Sequence, residues 1–193
     1  MKLKAYGELV RPVNVLLTFA SVFVGAYLTG TVQPWEKVLL ACISASLVAA
    51  GGYALNDLYD LDIDRVNRPG RPLPSGRLTP GEVLFFSLAL LVGGVFIGSF
   101  IHLRALGLAL FCALLLFSYN ARLKRTPLWG NLTISLLTGL AFIYGGLAVG
   151  RPRLALIPAG FAFLFHLGRE LIKDTQDLGG DVAGKARTVP ICW

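Results

Sequence analysis

Long uncharged stretches separated by shorter charged segments dominate this sequence. Six such stretches, each 15 to 25 residues long, occupy residues 12–35, 38–56, 83–103, 105–121, 126–150 and 154–168. A helix that crosses a bilayer needs about 20 mostly apolar residues, with a range of roughly 17–25. Five stretches meet this length, and the sixth does so if Arg169 and Glu170 lie at an interface or a polar cavity. The pattern predicts an all-α, polytopic transmembrane helical bundle with six crossings.

The composition supports a membrane protein. Hydrophobic residues make up 55% of the chain and charged residues 15%, against about 25% charged residues in ordinary soluble domains. The net charge of +7 is better explained by membrane topology and an anionic substrate or lipid surface than by nucleic acid, because no nucleic-acid-binding motif is present. Disorder, a collagen repeat and a disulfide framework are excluded. The cysteines lack metal-ligand spacing, and His102 and His166 lack metal-ligand companions.

The lysines and arginines are distributed unequally between the two sides that six crossings define. Fourteen fall on the first side, namely Lys2, Lys4, Arg11, Arg65, Arg68, Arg71, Arg77, Arg122, Lys124, Arg125, Arg169, Lys173, Lys185 and Arg187. Four fall on the second side, namely Lys37, Arg104, Arg151 and Arg153. Positively charged loops stay in the cytoplasm. We therefore expect a multi-pass protein of the cell membrane, with a cytoplasmic N-terminus and cytoplasmic long connections.

The first acidic segment follows the second uncharged stretch and runs from Asn56 to Asp64. If it continues the preceding helix at about 100° per residue, Asp60, Asp64 and Asp57 lie about 40°, 80° and 100° from Asn56. Asp62 falls near 240°, on the opposite face. One helix face is therefore predicted to carry three carboxylates.

A second acidic segment, from Asp174 to Asp181, follows the sixth stretch and contains all of the remaining aspartates. Asp174, Asp177 and Asp181 are spaced i, i+3 and i+7, which confines them to an arc of about 60°. The number of crossings places both segments at the same membrane face. Crowded carboxylates repel one another unless a cation neutralises them, and their hard oxygen atoms suit Mg²⁺ shared with a diphosphate. We expect such a magnesium site at the cytoplasmic side.

Two simpler interpretations of the acids compete with a magnesium site. The segments could be solvated cytoplasmic loops, although confining every aspartate to two segments on one side argues against generic solubility. A calcium loop is a second possibility, because Asp60-x-Asp62-x-Asp64 resembles the start of an EF-hand. It fails because Arg65 replaces the required Gly and Arg71 replaces the closing Glu.

An arginine-rich loop lies between the first acidic segment and the third uncharged stretch. Residues 65–77 contain four arginines and three prolines. Guanidinium groups bind phosphate oxygens in a fork geometry, and prolines stiffen the loop that carries them. Anchoring by the positive-inside rule explains any single arginine about equally well. Phosphate binding is therefore predicted for the group rather than for one member.

These residues resemble a known family. Asn56-Asp57-x-x-Asp60-x-x-x-Asp64 and Asp177-x-x-x-Asp181, each at the inner end of a membrane helix, resemble the two signature motifs of the UbiA superfamily of intramembrane prenyltransferases. Further stretches are similar to the members of that superfamily that make archaeal ether lipids. These stretches are residues 64–77, Lys124-Arg125-Thr126-Pro127 and Arg169-Glu170-x-x-Lys173-Asp174.

The resemblance implies a Mg²⁺-dependent prenyltransferase. It implies a geranylgeranyl diphosphate donor, a geranylgeranylglyceryl phosphate acceptor and a location among membrane lipids. The implied magnesium ligands are Asn56, Asp60, Asp64, Asp177 and Asp181, supported by Asp57 and Asp174, and the catalytic residues are Asp60, Asp64, Asp177 and Asp181. The candidate substrate-binding residues are Arg11, Asn14, Arg65, Arg68, Arg71, Arg77, Lys124, Arg125 and Lys173. The superfamily usually has nine helices, so residues 1–193 are expected to form one domain that is truncated at its C-terminus.

Three alternatives differ in chemistry. A related transferase with an aromatic or quinone-precursor acceptor needs no acceptor phosphate. A divalent-cation transporter is expected to carry its aspartates in the middle of helices rather than at their inner ends. A CDP-alcohol phosphatidyltransferase is set aside because this chain has no Asp-Gly pair.

Overall fold

The uncharged stretches fold into long helices. The computed structural model describes residues 2–126 and 128–176, apart from the side chains at positions 125 and 174–176. All regular structure in this part of the chain is helical. The helices are α1 (Lys2–Leu9), α2 (Pro12–Tyr27), α3 (Trp35–Tyr59), α4 (Leu61–Asn67), α5 (Pro80–Ser99), α6 (Leu103–Ala121), α7 (Trp129–Ala148) and α8 (Leu156–Gln176), with a 3₁₀ turn at Leu123–Arg125.

The six predicted crossings correspond to α2, α3, α5, α6, α7 and α8. Within the described residues, α3, α5, α6 and α7 are each long and apolar enough to span a bilayer. Helices α1 and α2, taken together, are also long and apolar enough to span a bilayer, with a bend of 47° at the break between them. Helix α8 does not, since its last turns carry Arg169, Glu170 and Lys173. The prediction of an all-α polytopic bundle is confirmed.

Helix α3 lies at the centre of the bundle and packs against α2, α5, α6 and α7. Its approach to α5 is close because glycines face it: a Cβ at Gly94 would lie 2.8 Å from the Ser44 carbonyl oxygen. Two hydrogen bonds fix this approach. The Ser44 hydroxyl donates to the Gly94 carbonyl at 2.7 Å, and the Ser87 hydroxyl donates to the Gly51 carbonyl at 2.8 Å. Small residues in apolar runs therefore act here as helix-packing positions.

The connections meet at two opposite ends of the bundle, as the alternation of crossings predicts. At one end, Arg151 donates a hydrogen bond to the Thr29 carbonyl at 2.9 Å. At the other end, the break before α2, the end of α3 and the turn after α6 converge through ion pairs. This second end carries the arginine-rich loop and the first acidic segment, and we call it the charged end.

Candidate active site

The first acidic segment is built on a break in the helix. Helix α3 ends at Tyr59, Asp60 leaves the helical conformation at φ −97° and ψ 8°, and α4 begins at Leu61. The expectation of one continuous helix is therefore wrong at this position. The Asp64 amide still donates to the Asp60 carbonyl at 2.7 Å. The break turns Asp64 toward Arg71, which contacts both Asp64 and Asp57.

Asp57 and Asp64 are neutralised by guanidinium groups. Both are buried, with exposed fractions of 4% and 5%. Arg71 lies 2.5 Å from Asp64 Oδ2 and 3.2 Å from Asp57 Oδ1, and Arg11 lies 2.5 Å from the same Asp57 oxygen. A buried carboxylate is tolerated when it is paired and hydrogen-bonded. Asp57 therefore joins the N-terminal helices to the arginine-rich loop.

Arg11 is placed by an unusual backbone. It lies between α1 and α2 at φ 53°, in the left-handed region, and Pro12 begins α2 directly after it. A non-glycine residue rarely adopts this conformation, and it persists where its surroundings stabilise it. Here the guanidinium group is held by Asp57 and lies 5.3 Å from the centre of the Tyr53 ring. The bend thus aims Arg11 at the end of α3.

Asp60 pairs with a cation from a different part of the chain. Lys124 Nζ, in the 3₁₀ turn after α6, lies 2.5 Å from Asp60 Oδ1 and 6.0 Å from the centre of the Tyr59 ring. The Asp60 side chain is 23% exposed. Asp60 is therefore more accessible than Asp57 and Asp64.

A polar cavity of about 460 Å³ opens at the charged end. It lies beside Asp57 and is flanked by cationic side chains. A hydrogen bond from Arg77 lowers the pKa of Glu8, at its edge, below the ordinary value of 4.5. Its lining residues are Glu8, Arg11, Asn14, Asp57, Arg68, Gly70, Arg71 and Pro72. The concentration of guanidinium groups suits an anion.

A second, larger cavity of about 640 Å³ runs between the membrane helices. Asn14 lines both cavities, so the two adjoin at this residue. Its walls are mostly apolar side chains from α2, α3, α6 and α7, while α8 contributes His166 and Arg169. His166 Nε2 lies 3.5 Å from Glu170 Oε1, and Arg169 lies 2.9 Å from the same oxygen. A charged mouth thus continues into an apolar interior, as an amphipathic ligand requires.

Several of the predicted substrate-binding residues point elsewhere. Arg65 pairs with the exposed Asp62 at 2.9 Å, and Arg77 donates to Glu8 and to the Gly70 carbonyl, both at 2.7 Å. Lys173 is exposed near the end of α8. The side chains of Arg125 and Asp174, together with Asp177 and Asp181, lie outside the described residues. The predicted substrate-binding residues that do line the polar cavity are Arg11, Asn14, Arg68 and Arg71.

The donor chemistry at the charged end fits a magnesium ion in part. Asp60 and Asp64 offer carboxylate oxygens and Asn56 an amide oxygen, the hard ligands that Mg²⁺ prefers. Within the described ranges, no group of three His, Cys, Asp or Glu residues is close enough to hold a metal ion. The second acidic segment supplied the other predicted ligands, and its aspartate side chains fall beyond these ranges. The first segment alone therefore supplies four of the seven predicted ligands, Asn56, Asp57, Asp60 and Asp64.

Sequence reasoning selected Asn14 but not the hydroxyl-bearing residues that line the apolar cavity. Ser44, Tyr53 and Tyr144 lie inside uncharged stretches, and each lines the cavity. The feature that could have identified them is a hydroxyl group within a membrane helix, because such a group needs a hydrogen-bond partner or a function. His166, inside the sixth uncharged stretch, and Arg169, directly after it, carried a similar signal.

The comparison with known proteins defines the class. The model of the UbiA prenyltransferase family matches residues 17–193, and the chain belongs to this family. Among its relatives is the digeranylgeranylglyceryl phosphate synthase of Methanothrix thermoacetophila, 40% identical over 95% of this chain and 69% of the relative. The enzyme of the same name from Methanopyrus kandleri is also 40% identical, over 99% of this chain and 70% of the relative.

Solved structures agree with the family. A structure of digeranylgeranylglyceryl phosphate synthase is similar with a TM-score of 0.87 and 35% identity, over 100% of this chain and 69% of that one. A UbiA homologue from Archaeoglobus fulgidus bound to DMAPP and Mg²⁺ has a TM-score of 0.75 at 20% identity, over 96% of this chain and 68% of that one. This second likeness shows the fold alone.

Proposed function

We propose that this protein transfers a geranylgeranyl group from geranylgeranyl diphosphate to the free hydroxyl of geranylgeranylglyceryl phosphate, in a Mg²⁺-dependent reaction. The observation that carries this proposal is the charged mouth that continues past Asn14 into an apolar cavity. Such a site takes a molecule with a phosphate head and a long hydrocarbon tail. The relatives at 40% identity that bear the synthase name support the choice of substrates.

The acids of the charged end are proposed to hold the metal. Asn56, Asp60 and Asp64 would act with Asp177 and Asp181, while Asp57 and Asp174 support them. When bound, Mg²⁺ supplies positive charge that stabilises the leaving diphosphate. The A. fulgidus homologue bound to DMAPP and Mg²⁺ supports this use of the metal.

Different basic residues of the charged end are proposed to bind the phosphates of the donor and of the acceptor. Lys124 is paired with Asp60, which places its cation beside the proposed diphosphate position. Arg11, Arg68 and Arg71 surround the polar cavity and suit the phosphate of the acceptor. Fixed cations of this kind stabilise charge without reorganising during the reaction.

The apolar cavity has two roles in this proposal. It dissolves the isoprenoid tail, and it excludes water from the allylic carbon that loses the diphosphate. The acceptor hydroxyl oxygen forms the new bond to this carbon and loses its proton, while the diphosphate leaves with the electron pair. Because water competes for the same carbon, apolar walls favour transfer over hydrolysis.

Topology is part of the proposal. Residues 1–193 are taken as a single UbiA-like domain in the cell membrane, with the charged end facing the cytoplasm. The excess of Lys and Arg on that side supports this orientation.

An acceptor panel tests the substrate assignment. Purified protein in lipid nanodiscs would receive Mg²⁺, geranylgeranyl diphosphate and equal amounts of geranylgeranylglyceryl phosphate and a hydroxybenzoate. We expect the doubly prenylated glyceryl phosphate as the product. A prenylated aromatic product would show that the acceptor is aromatic instead. Divalent-cation flux into liposomes that Asp60→Asn abolishes would show that the protein is a transporter instead of an enzyme.

A further inference from the structure

The lining residues of the apolar cavity show which side chains lie deepest in the bundle. Three helices line the cavity from the charged end to its deepest part. The lining residues run inward from Tyr53 to Ser44 in α3, from Leu116 to Leu108 in α6, and from Ile134 to Tyr144 in α7. Helices α3 and α6 run toward the charged end and α7 runs away from it, so these three progressions describe one direction. Ser44, Leu108 and Tyr144 lie at the deep limit of this progression, and Ser44 and Tyr144 are hydrogen-bonded to each other.

Hydrogen bonds hold this end in place. The Ser44 hydroxyl donates to the Gly94 carbonyl at 2.7 Å, and the Tyr144 hydroxyl lies 2.8 Å from Ser44 Oγ. Because the Ser44 proton is used on Gly94, Tyr144 is the donor to Ser44. Ser44 is fully buried and Tyr144 is 4% exposed. The pair links α3, α5 and α7.

Gly98 makes room for the Tyr144 hydroxyl. A Cβ at Gly98 would lie 2.9 Å from that oxygen and 3.3 Å from the Ala109 Cβ. Tyr144 also belongs to the buried core that contains Val22, Val38 and Ala109. The aromatic ring is therefore packed on its outer side and faces the cavity on the other.

The depth of this end can be compared with a prenyl chain. Ser44 lies 12 residues from Asn56, the innermost of the proposed magnesium ligands in α3, which is about 18 Å at 1.5 Å per residue. An extended chain advances about 1.2 Å per bond, by the measure of an extended backbone. Four isoprene units place 16 carbons in line, so their 15 bonds span about 18 Å. The distance from the charged end to Ser44 therefore suits four units.

We propose that the Ser44–Tyr144 pair is a chain-length stop, which ends the donor tail at its fourth isoprene unit. The proposal rests on the proposed prenyl transfer and adds to it the residues that select the donor. A shorter tail leaves the deep end unfilled, and a longer one meets the Tyr144 ring. A difference of one methylene group in an apolar pocket already changes selection by about tenfold or more.

Binding and transfer of three donors test the stop. Purified protein in nanodiscs with Mg²⁺ would be titrated with the C15, C20 and C25 prenyl diphosphates, and transfer rates would follow with one acceptor. We expect the C20 donor to be preferred. Tyr144→Ala opens the deep end, so the C25 to C20 ratio should rise about tenfold or more in both measurements.

Two further variants complete the design. Tyr144→Phe keeps the ring and removes the hydroxyl group, so it should retain the C20 preference. Ala45 lines the cavity one residue from Ser44, so Ala45→Leu should shift the preference toward the C15 donor. This opposite shift tests the stop even where Tyr144→Ala fails to fold.

The outcomes separate this proposal from the proposed function. Unchanged donor ratios in folded Tyr144→Ala and Ala45→Leu overturn the stop while the transferase stands. Length-dependent binding without any transfer supports the stop and overturns the proposed reaction. Failure to bind any prenyl diphosphate overturns both proposals.

Discussion

The buried Asp57 shows how the charged end is stabilised. Its carboxylate accepts hydrogen bonds from Arg11 and Arg71, which come from different parts of the chain. Removing one partner of a buried ion pair leaves an uncompensated charge, which is costly. Asp57 is therefore both a structural anchor of the mouth and the residue that orients two guanidinium groups beside the polar cavity.

Two arginines of the loop offer a matched test of phosphate binding. Arg68 lines the polar cavity, whereas Arg65 pairs with the exposed Asp62. Loss of one charge-assisted hydrogen bond costs about 1.5–3 kcal/mol. We therefore expect Arg68→Gln to raise the KM of the phosphate-bearing acceptor about 10-fold to 100-fold. Arg65→Gln should leave the KM near the wild-type value, and steady-state kinetics with equal rises in both variants would contradict this division.

The sequence identified the charged side chains but not their partners. The helical projection separated Asp62 from its neighbours, and the Asp62 side chain is 92% exposed in the structure. Which arginine faces the cavity depended on the fold of residues 65–77, where four guanidinium groups look equivalent in sequence. Lys124 and Asp60 are 64 residues apart, so their pairing depends on the packing of α3 and α6.

At the scale of elements, helix packing depends on glycines that face a neighbouring backbone. A Cβ at Gly145 in α7 would overlap the Val22 carbonyl of α2, whereas a Cβ at Gly93 meets nothing within 4 Å. We expect Gly145→Ala to destabilise the protein by about 1–3 kcal/mol, because α2 and α7 must separate. Gly93→Ala is the control and should be neutral. Thermal unfolding in one detergent measures both, and a stable Gly145→Ala variant would contradict the packing.

Helix breaks were harder to predict than helix positions. Uncharged stretches locate α3 and α5 to α7 because lipid requires continuous apolar helices. Pro12 favours the first turn of a helix, which suits the start of α2. The break at Asp60 has no Gly or Pro beside it, so no strong helix breaker marks it in the sequence. Ion pairs from Asp57 and Asp64 to Arg71 accompany this break, and such tertiary contacts are not visible in a local pattern.

At the scale of the whole molecule, orientation in the membrane can be tested with two single-cysteine labels. Asn67 is exposed at the charged end, and Glu36 is exposed at the opposite end of α3. With intact cells and a membrane-impermeant maleimide, Glu36→Cys should be labelled directly, and Asn67→Cys only after permeabilisation. The wild-type chain gives the background from its native cysteines. The reverse labelling pattern would invert the proposed topology.

Fold and site were predictable to different degrees at this scale. Six helices followed from hydropathy, and the convergence of Arg11, Asp57 and Lys124 at one end followed from the alternation of crossings. The two connected cavities did not follow, because their shape depends on side-chain packing among α2, α3, α6 and α7. Along each helix, the side chains that face lipid and those that face the cavity are similarly apolar, so the sequence does not distinguish the two sides.

The central claim is that the charged mouth and the apolar cavity form one Mg²⁺-dependent prenyl-transfer site. The most direct measurement is mass spectrometry of the product formed from geranylgeranyl diphosphate and geranylgeranylglyceryl phosphate, with Mg²⁺ or with EDTA. We predict a doubly prenylated glyceryl phosphate that EDTA abolishes, that Asp60→Asn reduces by about 100-fold, and that Asp62→Asn changes by no more than about twofold. Transfer that persists in EDTA, or equal loss in both folded variants, would contradict the account.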